Sequence, residues 1–252
     1  MTRPTMNVTV IGAGPSYTNR QGATGAAYLV EAADTAILLD LGQGSFPRLT
    51  AAIEPSRLDA VVVSHLHPDH FIDLVPLRLY LTYEFDPPRR VRVLGPAGLA
   101  DRIDAVHARP GFTAEALDCV QLGAGGREIG GVAVESRLVT HTEESYATRL
   151  SLPDGPGLVY SGDCGVAEDL APLIRPGDTL LVEISFGVGP VPPGAGHLDA
   201  PAIARLARET RPGQIMLTHL QMGFDPDEAI RVVAEATPAP VRLVEPGDRF
   251  EV

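Results

Sequence analysis

Between positions 65 and 70 the chain reads His-Leu-His-Pro-Asp-His, which places His65, His67, Asp69 and His70 within six positions. Imidazoles and carboxylates are borderline-to-hard donors, suited to Zn²⁺, Mn²⁺ or Fe rather than to Ca²⁺ alone. The cluster directly follows Asp59-Ala-Val-Val-Val-Ser64, whose three consecutive valines have the composition of a buried strand. Pro68 forbids a regular ladder just beyond it, so the donors belong on a loop that starts from a rigid strand end. Only seven histidines occur in the chain. His141 ends the alternating run 132–140, Asp163 ends 157–162, His219 ends 214–218, and His197 follows the Pro/Gly-rich stretch 187–196. Polar groups gathered at strand ends are how an α/β scaffold builds a site. His107 stands apart, inside a helical pattern, and reads as an ordinary helix-end residue.

An HxHxDH cluster followed in order by a lone His, a Gly-Asp and a late His resembles the metallo-β-lactamase superfamily. Leu181-Val-Glu-Ile-Ser-Phe186 and Gly196-His-Leu-Asp-Ala-Pro-Ala202 are similar to segments of its ribonuclease Z branch, as are Val10-Ile-Gly-Ala-Gly14 and Leu38-Leu-Asp-Leu-Gly-Gln-Gly44. Within that branch the pattern most resembles small bacterial phosphodiesterases of cyclic nucleotides. The likeness runs from about residue 8 to the C-terminal Phe-Glu-Val. It implies an α/β fold of four layers, the αβ/βα sandwich, with the site on one edge of the sheets. It further implies that His65, His67 and His141 hold one divalent ion, that Asp69, His70 and His219 hold a second, and that Asp163 bridges them. Zn²⁺ is the first expectation for both, with Mn²⁺ or Fe as alternatives. Ions roughly 3.5–4 Å apart can activate water near neutrality and clamp both oxygens of an in-line phosphodiester displacement. Seven candidate donors also exceed what one tetrahedral zinc needs.

The resemblance pairs Glu183 with His197, the imidazole giving a proton to the departing oxygen, and Asp69 is counted with them as catalytic. A carboxylate beside an imidazole keeps it protonated, and an alkoxide leaving group needs such an acid. The chain departs from the branch at two places: Leu198-Asp199 stands for Ser-Thr, and Val-Glu-Ile-Ser185 for His-Glu-Ala-Thr. Asp199 reads as a helix cap. Asp40 reads as support for a ligand rather than as a ligand.

The 252 residues show no linker, no repeat and no apolar run near membrane length, so one hydrolase domain over 1–252 is expected, with no membrane association. No basic start followed by an apolar segment is present, and cytoplasmic residence is the expectation. All twenty basic residues are arginine, a composition with no functional content here. Cys119 and Cys164 form no metal-type pair, and Cys164 reads as a small buried neighbour of Asp163. The net charge of −12 opposes a long polyanion, and Arg89-Arg90-Val-Arg92 is the densest basic spot. Two divalent ions would outweigh Asp69 and Asp163 locally, leaving the pocket attractive to a small anionic substrate. The expected activity is hydrolysis of a small phosphodiester, 3′,5′-cyclic AMP or a relative. The alternatives are a tRNA 3′-processing endonuclease and a lactone or thioester hydrolase on the same metals. In the branch, tRNA cutting uses an arm inserted between the lone His and the bridging Asp. Here the interval 142–162 holds only two strand patterns and the turn Pro153-Asp-Gly-Pro156, so no tRNA partner is expected. Analogy with relatives implies a homodimer. Phe71, Phe85, Phe186 and Phe224 flank the motifs and are candidates to stack on a base.

Periodicity predicts strands at 8–11, 25–30, 35–40, 59–63, 91–94, 118–122, 132–140, 146–151, 157–162, 179–184, 241–244 and 249–252. It predicts helices at 46–53, 77–84, 97–107, 166–174, 201–210 and 226–236, the last two capped by Asp199 and Asp225. Helical turns within 69–75 are allowed for. Val8-Thr-Val-Ile-Gly-Ala-Gly14 imitates a dinucleotide fingerprint, but it lacks the third glycine and a following helix, so no pyrophosphate site is expected.

Overall fold

A computed structural model describes residues 5–252. In chain order its elements are β1 (Met6–Gly12), β2 (Ala27–Ala32), β3 (Thr35–Leu39), α1 (Phe46–Ala52), β4 (Ala60–Val62), α2 (Pro68–Phe71), α3 (Leu74–Tyr83), β5 (Val91–Gly95), α4 (Leu99–Val106) and β6 (Leu117–Gln121). There follow β7 (Gly125–Ile129), β8 (Val132–Leu138), β9 (Tyr146–Ser151), β10 (Gly157–Tyr160), β11 (Thr179–Glu183), α5 (Ala200–Thr210), β12 (Gln214–Thr218), α6 (Pro226–Ala234), β13 (Val241–Leu243) and β14 (Arg249–Glu251). They form two seven-stranded mixed sheets, ordered β14-β1-β2-β3-β4-β5-β6 and β13-β12-β11-β10-β9-β8-β7.

Three apolar clusters separate four layers. Val8, Tyr28, Leu39, Leu150, Leu181 and Met216 pack between the sheets. Leu38, Val61, Phe71, Leu77 and Ile103 pack the first sheet against α2, α3 and α4. Val159, Leu180, Val182, Ile203 and Val233 pack the second against α5 and α6. Central strands are thus covered on both faces, which is why they read as continuous apolar runs. The expected αβ/βα sandwich is the fold observed.

Parallel pairing places the site. β3-β4-β5 run parallel in the first sheet and β10-β11-β12-β13 in the second, so their C-terminal ends share one rim. The capped helices form as read: Asp199 accepts from Ala202 N at 2.9 Å, and Asp225 from Asp227 N at 2.9 Å. Three details differ from the expectations. The segment 166–174 is a 3₁₀ turn at Ala167–Asp169 continued by i→i+3 bonds, among them Leu173 N to Leu170 O and Ile174 N to Ala171 O. Leu170, Leu173 and Ile174 are buried there and imitate a helical stripe, but Pro172 and Pro176 prevent an α-helix. β7 went unread, because Gly125 and Gly126 depress strand propensity, and as an edge strand it pairs only with β8. α3 begins at Leu74, ahead of the predicted start, with Pro76 in its first turn.

One buried ion pair fixes the outer face of the second sheet. Arg149 Nε and Nη2 donate to the two oxygens of Asp178 at 2.7 and 2.9 Å, and both side chains are at most 3 % exposed. Gly157 N and Arg175 N also donate to Asp178. A Cβ on Gly157 would come within 2.6 Å of the guanidinium carbon. Asp178→Ala strands a cation out of water, and we predict that it lowers the unfolding free energy by about 3–5 kcal/mol. Urea denaturation measures this; a loss below about 1 kcal/mol would mean that the guanidinium recovers its hydration and the pair is not critical.

Candidate metal centre

The rim gathers the seven candidate metal donors together with Glu183 and His197. His65 follows β4 through Ser64, His67 caps α2, and Asp69 and His70 lie within that short helix. His141 follows β8, Asp163 follows β10, Glu183 ends β11, His219 follows β12, and His197 sits on the loop before α5. Donor atoms of His65, His67, His141 and Asp163 lie within 4.8 Å of one another, and so do those of Asp69, His70, Asp163 and His219.

Asp163 belongs to both groups, and its two oxygens face opposite ways. Oδ1 lies 3.3 Å from His70 Nε2 and 3.5 Å from His219 Nε2. Oδ2 lies 3.7 Å from His65 Nε2 and from His141 Nε2. Burial alone would raise the Asp163 pKa, but the charges of His219 and His70 outweigh it and hold the carboxylate well below its ordinary range. His65 is pushed well below its ordinary value by burial and then by His70, which favours the neutral imidazole.

The outer nitrogens of these rings are already taken. His70 Nδ1 donates to Asp40 Oδ2 at 2.7 Å, and His141 Nδ1 donates to Gly196 O at 2.7 Å. His65 Nδ1 and His219 Nδ1 each lie 3.0 Å from a serine hydroxyl, Ser64 and Ser185. Each serine in turn donates to a buried carboxylate: Ser64 Oγ to Asp40 at 2.7 Å, and Ser185 Oγ to Glu183 at 2.6 Å. The four Nε2 atoms are therefore left facing inward, while His67 turns its Nδ1 to within 3.1 Å of His141 Nε2. His65 Nε2, His70 Nε2 and Asp163 Oδ1 are buried with no hydrogen-bond partner among the described residues. Orphaned polar atoms cost stability unless something else satisfies them. Imidazole nitrogens and carboxylate oxygens converging on one space are a donor set that suits divalent cations, and the seven side chains can hold metal.

Glu183 and His197 also come together as the sequence implied, with Nδ1 donating to Oε1 at 2.9 Å. The donor atoms of Glu183, His197 and His219 are close enough to suggest a further group. Glu183 is spent, however. Cys164 N and His197 Nδ1 donate to Oε1, and Ser185 N and Oγ donate to Oε2. Burial would lower the His197 pKa; the bond and charge of Glu183, then the charge of Asp163, outweigh it and hold the imidazole above its ordinary value. His197 is thus an oriented imidazole with Nε2 free.

The other candidates separate cleanly. Asp40 accepts four bonds, from Ser64 N, Ser64 Oγ, His70 Nδ1 and Tyr160 OH, so it is a support. Cys164 is buried, its thiol donates to Val166 O, and burial pushes its pKa up to about 12. His107 stacks on Phe112, ring centroids 3.8 Å apart, away from the rim. Phe71 belongs to the core and Phe85 packs on Tyr80, whereas Phe186 lies 6.1 Å from His197 with Phe224 beside it. Arg90, one of the three arginines of the basic spot, is paired with Asp118. The glycine-rich 12–14 segment leads into a loop whose Ala13 O accepts from His219 N at 3.0 Å, with no helix following. Sequence reading missed Ser64, Ser185, Tyr28 and Tyr160. The available signal was a hydroxyl at or near the end of a buried apolar strand, where it must find a partner.

The chain is similar to several known proteins. An uncharacterized protein of Mycobacterium leprae is 30 % identical over 98 % of this chain and 89 % of its own length. The probable metallo-hydrolase YhfI of Bacillus subtilis is 26 % identical over 85 % of this chain and 87 % of its own. The crystal structure of YhfI superposes with a TM-score of 0.88 at 21 % identity, covering 98 % of this chain and all of that one. A ribonuclease Z of Metallosphaera sedula is 24 % identical over 87 % of this chain and 89 % of its own. Among the described residues no helix is long and apolar enough to cross a membrane. The Beta-lactamase superfamily domain matches residues 35–220, which contain all seven converging donors, and the chain belongs to that superfamily.

Proposed function

We propose that the chain is a dinuclear metal-dependent phosphodiesterase acting on a small phosphodiester, with 3′,5′-cyclic AMP or a related cyclic nucleotide as the foremost candidate. The carrying observation is the Glu183–His197 pair beside two donor groups that share Asp163. Two divalent ions there would supply a nucleophile from water and withdraw charge from the phosphodiester. The residues do the rest. Asp163 holds the two positions at a common carboxylate, and Asp69 adds a second negative donor, its Oδ2 3.2 Å from His219 Nε2. His197 keeps its Nδ1 proton on Glu183 and delivers the Nε2 proton to the leaving oxygen. A cavity of about 760 Å³, whose lining includes Leu66, His67, Arg102, Leu138, Glu143 and Glu144, opens beside His67, the exposed donor, and is large enough for a mononucleotide.

A folded RNA is disfavoured. The interval between His141 and Asp163 is occupied by β9, β10 and a tight turn, leaving no arm to grip it. The −12 charge repels a long polyanion, whereas one phosphate at the centre feels little of it, since distant charge is screened beyond about 8 Å at physiological salt.

Three measurements test this reading. Metal analysis after full loading should give about two divalent ions per chain, and Asp163→Ala should lower both occupancy and turnover. Fewer than half an ion per wild-type chain would sink the two-metal reading. His197→Ala should retain the metals and reduce turnover by about 10²-fold on substrates with alkoxide leaving groups. The loss should shrink on p-nitrophenyl phosphodiesters, whose leaving group needs no proton; an equal loss on both substrates would assign His197 to phosphate positioning instead. One metal-loaded preparation should turn over cyclic AMP or a similar small phosphodiester and leave tRNA precursors uncut. Specific removal of a tRNA 3′ trailer without cyclic-nucleotide turnover would make it a nuclease, and turnover of a lactone or thioester alone would make it a carbonyl hydrolase.

A further inference from the structure

Two residues at the rim combine a metal-site role with an unusual backbone. Asp40, directly after β3, has φ 57°, and His219, directly after β12, has φ 62°. Side chains other than glycine seldom enter this left-handed region, Asp and His being among those that tolerate it. Such conformations persist only where the surroundings over-determine them. Asp40 belongs to the first sheet and His219 to the second, and each is held from the opposite sheet. Tyr160, the last residue of β10 in the second sheet, donates to Asp40 Oδ2 at 2.6 Å. Tyr28, in β2 of the first sheet, lies 2.6 Å from the hydroxyl of Thr218, the residue before His219. Thr218 Oγ1 and His219 N both donate to Ala13 O, at 3.4 and 3.0 Å, so the phenol of Tyr28 completes the fixing of that turn. The two tyrosine rings pack on each other at 5.1 Å, and neither is more than 3 % exposed.

The crossed contacts converge on one of the two donor groups. Asp40 orients His70 through Nδ1, and Thr218 fixes the backbone of His219. Both imidazoles belong to the group formed with Asp69 and Asp163. His65, in the other group, is reached only at one remove, through Ser64, and His141 is held by Gly196 O instead.

We propose that Tyr28 and Tyr160 are positioning residues, a crossed clamp in which each sheet supplies the phenol that aims the other sheet's imidazole, His219 or His70, at a shared divalent cation. The clamp rests on the metal-holding reading above and makes a demand of its own: the two ions must respond unequally when it is loosened.

The test uses Tyr160→Phe and Tyr28→Phe, which delete one oxygen each and keep the packed rings. Tyr146→Phe is the control, because its hydroxyl donates to Glu144 Oε1 rather than to a partner of a donor. Each chelator-stripped protein is titrated with Zn²⁺ against a chromophoric chelator, and its metal-free stability is measured by thermal unfolding. Wild type and Tyr146→Phe should bind two ions tightly. Tyr160→Phe and Tyr28→Phe should keep one tight ion and bind the other about 10-fold or more weakly, the usual result of removing support from a metal-binding imidazole. Thr218→Val, which removes the hydroxyl that Tyr28 holds, should weaken the same ion, and it serves as a second probe if a Phe variant folds poorly. Equal weakening of both ions in proportion to lost stability would reduce the tyrosines to packing and overturn the clamp. Two tight ions in wild type and in both Phe variants would overturn the clamp alone, whereas a wild type that binds no zinc would overturn the metal reading and the clamp together.

Discussion

Asp163 is a carboxylate almost wholly out of water, with imidazoles on both sides and one oxygen lacking any partner. A charge in such a place is tolerable only if compensating groups are held rigidly around it, because a low-dielectric site magnifies each misplacement. The rim supplies that rigidity in layers. Imidazoles ring the carboxylate, serines and carboxylates hold the imidazoles, and backbone amides hold the carboxylates. The sheets themselves are the outermost layer, since parallel strands deliver Asp40, Ser64, Asp163, Glu183 and His219 to a common edge.

The two halves solve this problem in the same way. In the first sheet, buried Asp40 takes bonds from Ser64 and His70, and Ser64 also meets His65. In the second, buried Glu183 takes bonds from Ser185 and His197, and Ser185 also meets His219. A carboxylate and a serine thus govern two histidines on each side. The difference lies in where the second imidazole points. His65 and His70 both turn toward Asp163, whereas His197 stands beside the donor groups with a nitrogen to spare. Identical support chemistry therefore serves metal binding on one side and leaves room for proton transfer on the other.

The donors were legible because they are rare residue types at strand ends, and a strand end reads well from a β-branched run such as Val61-Val-Val63. Order along the chain added the pairing of Glu183 with His197. The supports were not legible. Ser64, Tyr28 and Tyr160 are common residue types whose importance arises from contacts across 24 to 190 positions of sequence, and Ser185 meets His219 across 34. No local pattern encodes such contacts. The fold shows the same division. Segments buried on both faces were found, whereas β7, glycine-rich and at an edge, was not. The 3₁₀ turn at Ala167–Asp169 imitates a helix in sequence because burial at 170, 173 and 174 has helical spacing, while the prolines decide the backbone.

The order of strands in the first sheet has a temporal side. The second sheet is contiguous in sequence, β7 through β13, but the first is completed by β14, which pairs with β1 through Asn7↔Glu251 and Thr9↔Arg249. β1 is therefore made well before its partner β14 and keeps an open edge until β14 has emerged. An unpaired strand edge is a template for pairing with other chains. The sheet that carries the HxHxDH cluster is begun before the other and completed after it, so its hydrogen-bonding edge stays open while every strand of the second sheet is being made.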